Sequence, residues 1–313
     1  MKISLAPMQG YTDAIFRTAI NKIGGIDAFY APYMKIENNA ISAKYLNDIS
    51  IERNNGLNLI PQILTNKTEE LLLAANVVAN LGYTELNWNL GCPYPMVTKR
   101  CMGAGLLPFP NEIDKILSEF ENKSNINLSI KIRLGLESED EIWEVLNILN
   151  QHKISEIIIH PRIARQMYKG IANRTIISTI IEKSANPIAY NGDILNTTDA
   201  EQIIAENKQL THLMIGRGLL YNPFLANELK GTKTDAYQRR SKLQNFTENI
   251  AQQQLTKLQG AGHFLQKMTT YWEYWSQMFV NQHKIFKSIK KCHSTADYEY
   301  VTQNIFRNAE MAQ

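Results

Sequence analysis

The chain has 313 residues, with 33 Lys plus Arg against 30 Asp plus Glu, 44% of residues hydrophobic and 20% charged, a balance that excludes intrinsic disorder and collagen-like repeats. Cys92, Cys101 and Cys292 form no Cys-x-x-Cys pair, which excludes a disulfide scaffold or a zinc site and points to a reducing cytoplasm. The net charge of +3 conceals an asymmetry, because residues 232–313 hold 11 basic and 6 acidic side chains whereas residues 1–231 hold 22 and 24.

Short β-branched or apolar runs recur along the first two thirds, at residues 3–7, 26–32, 58–63, 85–89, 127–133, 155–160, 187–190 and 211–216; each reads as a strand. Between them lie amphipathic stretches. In residues 138–150, Ile142, Val145, Leu146 and Leu149 follow the i, i+3, i+4, i+7 spacing of one buried helical face. Strands alternating with helices imply a parallel sheet. Runs such as Glu156-Ile157-Ile158-Ile159-His160 suit strands covered on both faces, so a (β/α)8 TIM barrel is expected over residues 1–231. An open doubly wound sheet is the alternative, but no G-x-G-x-x-G follows the first strand. The long polar stretch 33–57 and the short seventh strand fit the eightfold repeat least well. All ten prolines lie between Pro7 and Pro223 and only three of sixteen glycines lie from Gly231 onward. Residues 232–313 therefore read as a small all-α domain. No apolar run is long enough to span a bilayer and the N-terminus lacks the apolar stretch of a signal peptide, so no membrane partner is expected.

With this division, the distinctive polar residues fall at the C-terminal ends of strands, the face on which barrel active sites are built. They are Met8-Gln9, Lys35, Gln62, Asn89 with Cys92, Lys131 with Arg133, His160 with Arg162, Asn191-Gly192-Asp193 and Gly216-Arg217-Gly218. The last two follow strands seven and eight, where a barrel binds phosphate, although Asn-Gly-Asp is also a common turn. In Leu128-Ser129-Ile130-Lys131-Ile132-Arg133 the isoleucines share one face and the cations the other. A cation facing a barrel interior needs an anion, either a carboxylate or an electron-rich cofactor. Cys92 lies on a tight Gly-Cys-Pro turn and suits either a nucleophile or a proton donor. His160 with Arg162 could grip a polar ring or phosphate, and a structural His is the plainer reading.

The ordered set Ala6-Pro7-Met8-Gln9-Gly10, Gln62, Asn89-Leu90-Gly91-Cys92-Pro93, Lys131-Ile132-Arg133, His160-Pro161-Arg162, Asn191-Gly192-Asp193 and Gly216-Arg217-Gly218 closely resembles the tRNA-dihydrouridine synthases over residues 3–225. The resemblance implies an FMN enzyme that reduces the C5=C6 bond of particular tRNA uridines with NADPH as electron source. It further implies that Pro7, Met8, Gln9, Gln62, Lys131, His160, Asn191, Gly192, Asp193, Gly216 and Arg217 contact FMN. Cys92 then corresponds to the general acid, Asn89 to a residue beside the uridine and Lys35 to a position used against tRNA. Arg133 and Arg162 are candidates for the substrate. Lys99 and Arg100, just past Cys92, are placed to touch RNA. In the tail, Lys284, Lys287, Lys290 and Lys291 fall broadly on one helical face, with Ile285, Phe286 and Ile289 available for packing. Tyr271-Trp272-Glu273-Tyr274-Trp275 reads as bundle core before base stacking. No metal is expected, and the chain is expected to act as a monomer. The rival readings are an FMN dehydrogenase of a free pyrimidine, of the dihydroorotate type, and a tRNA-binding module without catalysis.

Overall fold

The computed structural model describes residues 1–232 and 235–312. Among these residues eleven strands occur in chain order: β1 Lys2–Leu5, β2 Ala28–Tyr30, β3 Ile36–Glu37, β4 Ala40–Ile41, β5 Leu59–Ile60, β6 Gln62–Ile63, β7 Glu85–Leu90, β8 Asn127–Gly135, β9 Ile157–Ile163, β10 Ile188–Tyr190 and β11 His212–Ile215. Nine of them form one parallel sheet in the order β5-β2-β1-β11-β10-β9-β8-β7-β6.

The two ends of that order are neighbours in the chain. Only Pro61 separates β5 from β6, and its missing N–H interrupts what is otherwise a single strand. The Pro61 carbonyl still accepts from Asn87 N at 2.8 Å, while Ala31 N donates to Ile60 O at 3.0 Å and Met34 N to Gln62 O at 2.7 Å. The sheet thus closes on itself. Counting β5 and β6 as one stave gives the eight expected strands, each within a few residues of its predicted place. Helix Glu141–Leu149 buries Ile142, Val145, Leu146 and Leu149, the face expected from their spacing. The interior is lined by Ala6, Ala28, Tyr30, Ile60, Ile158, Ala189 and Met214, all buried.

The polar stretch 33–57 contains a feature that the alternation of strands and helices does not reveal. β3 and β4 pair as an antiparallel hairpin with Glu37 opposite Ala40, and Asn38 and Asn39 adopt φ of 51° and 58°. Two successive left-handed residues make the tight turn that matches strand twist, and Asn tolerates that region better than most side chains.

The chain gathers into two compact units. One comprises Met1–Ala14, Asp27–Asp193 and Thr198–Gly216 and holds the barrel. The other comprises Ile15–Ile26, Ile194–Thr197 and Arg217–Gln313. Within the second unit, helix Ala236–Lys257 begins at Asp235, whose carboxylate accepts from Gln238 N at 2.9 Å. Helix Thr295–Asn308 starts with a reciprocal Ser294/Asp297 capping box. Tyr271, Trp272 and Trp275 are fully buried. Tyr271 stacks on Trp275 at 4.9 Å, and Trp272 Nε1 donates to Tyr298 Oη at 2.9 Å. The aromatic run is therefore core. No helix among the described residues is long and apolar enough to cross a membrane.

Candidate active site

Register decides which side chains meet inside the barrel. Gln62 lies opposite Asn87, Asn87 opposite Ser129 and Asn89 opposite Lys131. Side chains alternate between faces along a strand, so Asn87 and Asn89 share the interior face of β7, and Ser129, Lys131 and Arg133 share that of β8.

The amides form a relay. Asn87 Nδ2 donates to Ser129 Oγ at 2.9 Å, which turns Asn87 Oδ1 toward Gln62 Nε2 at 2.7 Å. Gln62 Oε1 then accepts from Asn89 Nδ2 at 2.8 Å. Asn89 Oδ1 is left to accept from the backbone N–H groups of Gly91 at 3.1 Å and Cys92 at 2.9 Å. Each amide fixes the orientation of the next. Gln62 and Asn89 are expected site residues, whereas Asn87 and Ser129 were missed. Polar residues at alternate positions of a strand otherwise bound for burial are the sequence signal that marks them.

This relay ends at the turn that carries Cys92. On its other side the turn rests on the short helix Gly103–Leu106, with Ala104 N donating to Cys92 O at 3.1 Å. Gly103 has φ of +55°, and a Cβ there would lie 2.8 Å from both Cβ and O of Cys92. Only glycine permits that approach. Cys92 packs with Leu64 and Val97, and Tyr33 and Met102 lie against them. Burial pushes the Cys92 thiol up, against smaller opposing effects of the Tyr94 backbone, Tyr33, Arg133 and Lys35. The sulfur is thus a neutral thiol at neutral pH, which suits a proton donor better than a nucleophile. Tyr33 is a third residue that sequence reading missed.

The two cations of β8 differ sharply. Arg133 donates through Nε to Gly91 O at 3.1 Å and through Nη1 to Ile163 O at 3.0 Å, and it stacks over Tyr168 at 5.4 Å. It ties the Cys92 turn to the end of β9. Lys131 is partly buried, and the titratable neighbours acting on it are Arg133, which repels it, and Cys92. Burial first and Arg133 second hold its ammonium down at about 7. An anionic, electron-rich ring laid against Lys131 would return it to its charged form, so the donor set fits the expected cofactor on chemical grounds.

The remaining expected residues fall as follows. Pro7 and Met8 follow β1, and Gln9 Nε2 donates to Tyr33 O at 2.9 Å. His160 is buried and lies in register with Arg133. Asn191 Nδ2 reaches Met214 O at 2.8 Å. Gly192 and Gly216 sit where a Cβ would come within 3.2 Å of Pro161 and 3.1 Å of Met8 Sδ, respectively. Arg217 opens helix Arg217–Tyr221 directly after Gly216. Arg162 is 1% exposed and is already engaged: its guanidinium binds the Asp193 carboxylate at both Nη atoms and donates to the carbonyls of Lys169 at 3.2 Å and Gly170. Arg162 and Asp193 thus form an ion pair at the strand ends. Lys35 is partly exposed, with Nζ 5.7 Å from the Tyr33 ring, while Lys99 and Arg100 are exposed. Lys287, Lys290 and Lys291 are exposed at the end of helix Gln282–Lys290, whose Ile285 and Ile289 are buried. Among the described residues, no His/Cys/Asp/Glu group could hold a metal ion.

A closed parallel barrel with a thiol, an ammonium and an amide relay at its strand ends defines an enzyme of the TIM-barrel class. A family model described as "Dihydrouridine synthase (Dus)" matches residues 4–310. The tRNA-dihydrouridine(16) synthase of Pseudomonas syringae pv. tomato is 31% identical over 237 residues, covering 73% of this chain and 74% of that protein. The tRNA-dihydrouridine synthase B of Pasteurella multocida is 28% identical over 225 residues, covering 72% and 67%. Among solved structures, morphinone reductase shares the fold at a TM-score of 0.53 and 9% identity, over 76% of this chain and 88% of that one. The chain belongs to the dihydrouridine synthase family and is an oxidoreductase.

Proposed function

We propose that this chain is a tRNA-dihydrouridine synthase that reduces the C5=C6 bond of specific uridines, with FMN as its bound cofactor and NADPH as the electron source. The buried, neutral thiol of Cys92, held at a barrel strand end in a member of this family, carries the reading. When bound and reduced, FMN would supply the hydride for C6 of the uracil. Cys92 gives its proton to C5, the position where negative charge builds. Asn89 accepts from the Cys92 backbone N–H and lies beside Lys131 in register, which suits it to align the base. Lys131 compensates negative charge on the cofactor ring, with Gln62, His160 and Asn191 as further polar partners. Pro7, Met8, Gln9, Gly192, Asp193, Gly216 and Arg217 complete the proposed cofactor set, with Arg217 assigned to the phosphate and Asp193 acting through Arg162.

A uridine within folded tRNA must be turned out of its stack to reach such a cavity, so the surrounding polyanion must be gripped. Lys35, Lys99 and Arg100 serve near the base. Lys287, Lys290 and Lys291 serve in the tail, so that residues 1–231 act as the catalytic domain and 232–313 as the tRNA-binding domain. Arg133 and Arg162 contribute by shaping the rim. The reaction is placed in the cytoplasm, with the chain acting as a monomer.

The test is direct. Purified protein should be yellow, and it should reduce unmodified tRNA with NADPH but not free uracil or uridine. Turnover of the free base alone would favour a pyrimidine dehydrogenase. A colourless protein that takes up no FMN but binds tRNA would leave a binding module.

A further inference from the structure

Proton donation leaves the Cys92 sulfur negatively charged where water barely reaches it, since the residue is 6% exposed. Every cycle then needs a group to hold the thiolate and a route for the next proton. Tyr33 is built for both. It lies against the cluster formed by Leu64, Cys92 and Val97, and its phenol and the Cys92 thiol act on one another electrostatically. The residue is only partly buried, beside a thiol that is almost wholly so. Its position is fixed from the backbone: its carbonyl accepts from Gln9 Nε2 at 2.9 Å, and the next residue's N–H donates to Gln62 O at 2.7 Å.

We propose, on the reading of Cys92 as proton donor, that the Tyr33 hydroxyl is a further catalytic group, which donates a hydrogen bond to the Cys92 thiolate and relays a solvent proton back to it. The steps balance. The S–H bond breaks as C5–H forms. The Tyr33 O–H bond then breaks as S–H reforms, while a water molecule protonates the phenolic oxygen and departs as hydroxide. One solvent proton is consumed for each uridine reduced, beside the hydride. Tyr33 is no store of acid, because burial, and then Cys92, hold its phenol well above the usual range; its proton is replaced as it leaves. The other groups acting on the sulfur are Lys35 from the loop after β2, Arg133 and Lys131 from β8, and the Tyr94 backbone.

Tyr33→Phe removes one oxygen and preserves the ring. In the FMN-loaded full chain, iodoacetamide modification followed at Cys92 by peptide mass should slow at least about tenfold near neutral pH, the value of one hydrogen bond to a charged group. The pH midpoint of modification should rise in parallel. With enzyme reduced beforehand, the first turnover on unmodified tRNA should stay within about twofold of wild type, while steady-state turnover at saturating NADPH should fall roughly tenfold. An unchanged modification profile, or unchanged steady-state turnover, overturns the proposal. So does a profile shifted by Lys35→Met and not by Tyr33→Phe. Cys92→Ala separates the two levels of the claim. If that variant reduces tRNA fully, the donor reading fails and the relay with it; if it is inactive while Tyr33→Phe behaves as wild type, only the role of Tyr33 is lost.

Discussion

Replacing Lys131 by Met keeps most of the side-chain stem and removes the ammonium, and it should stabilise the cofactor-free protein. Burial, then Arg133, lower the Lys131 ammonium from 10.5 to about 7. At about 1.4 kcal/mol per unit this corresponds to at most ~5 kcal/mol of unfavourable charging, and water at the barrel mouth screens it to about 1–2 kcal/mol. The sign follows from proton counts. Below about pH 7 the ammonium is charged in the folded and unfolded chains alike and its full cost is felt. As pH rises toward 10.5 the folded chain gives up its proton first, the unfolded chain retains more, and stability recovers. Calorimetry of the FMN-free proteins at about pH 6 should therefore find Lys131→Met melting roughly 2–8 °C above wild type, with the gap closing at alkaline pH. Added FMN should reverse the order, because wild type gains an ion pair that the variant lacks. Equal or lower melting of the variant at acid pH without FMN would refute the reasoning, since it would mean that the ammonium is already compensated within the chain.

The relay makes its own demands. Asn87→Ala leaves Gln62 Nε2 and Ser129 Oγ each short of a partner, so urea unfolding should show a loss of about 2–4 kcal/mol, whereas an unaltered midpoint would deny the relay its structural weight. Gly103→Ala puts a Cβ 2.8 Å from Cys92 at φ of +55°; FMN binding should persist while tRNA reduction falls at least about tenfold, a displacement of the thiol by a few tenths of an ångström being enough. Lys287→Glu, Lys290→Glu and Lys291→Glu combined should weaken tRNA binding and flatten the salt dependence of its affinity by about two to three log units per decade. A filter-binding titration at several salt concentrations that leaves the slope unchanged would take the tail out of the interface.

The fold was legible because its signals are local. Eight apolar runs of strand length, separated by helical periodicity, leave few arrangements other than a parallel barrel, and each run became a stave. The hairpin at Asn38-Asn39 was hidden because its strands are only two residues long and too short for a period to show. The strand at 58–63 was read correctly as one, yet the break at Pro61 is what lets its two halves pair with opposite ends of the sheet. At the strand ends, the placement of Gln62, Asn89, Cys92 and Lys131 near one another was legible from residue type and position. Asn87, Ser129 and Tyr33 were not, because their importance lies in pairings across 25 to 59 residues that only register reveals. Arg162 and Asp193 were both named from their strand-end positions, but their pairing was not legible, since sequence does not show that a cation and an anion 31 residues apart will meet.

The measurement closest to the central claim is a map of dihydrouridine across the tRNAs of cells that lack this chain, compared with cells supplied with the wild type or with Cys92→Ala. Loss of the modified base at defined tRNA positions on deletion, restored by wild type and not by Cys92→Ala, is the predicted result. A map unaltered by deletion, or full restoration by the alanine variant, would contradict the account.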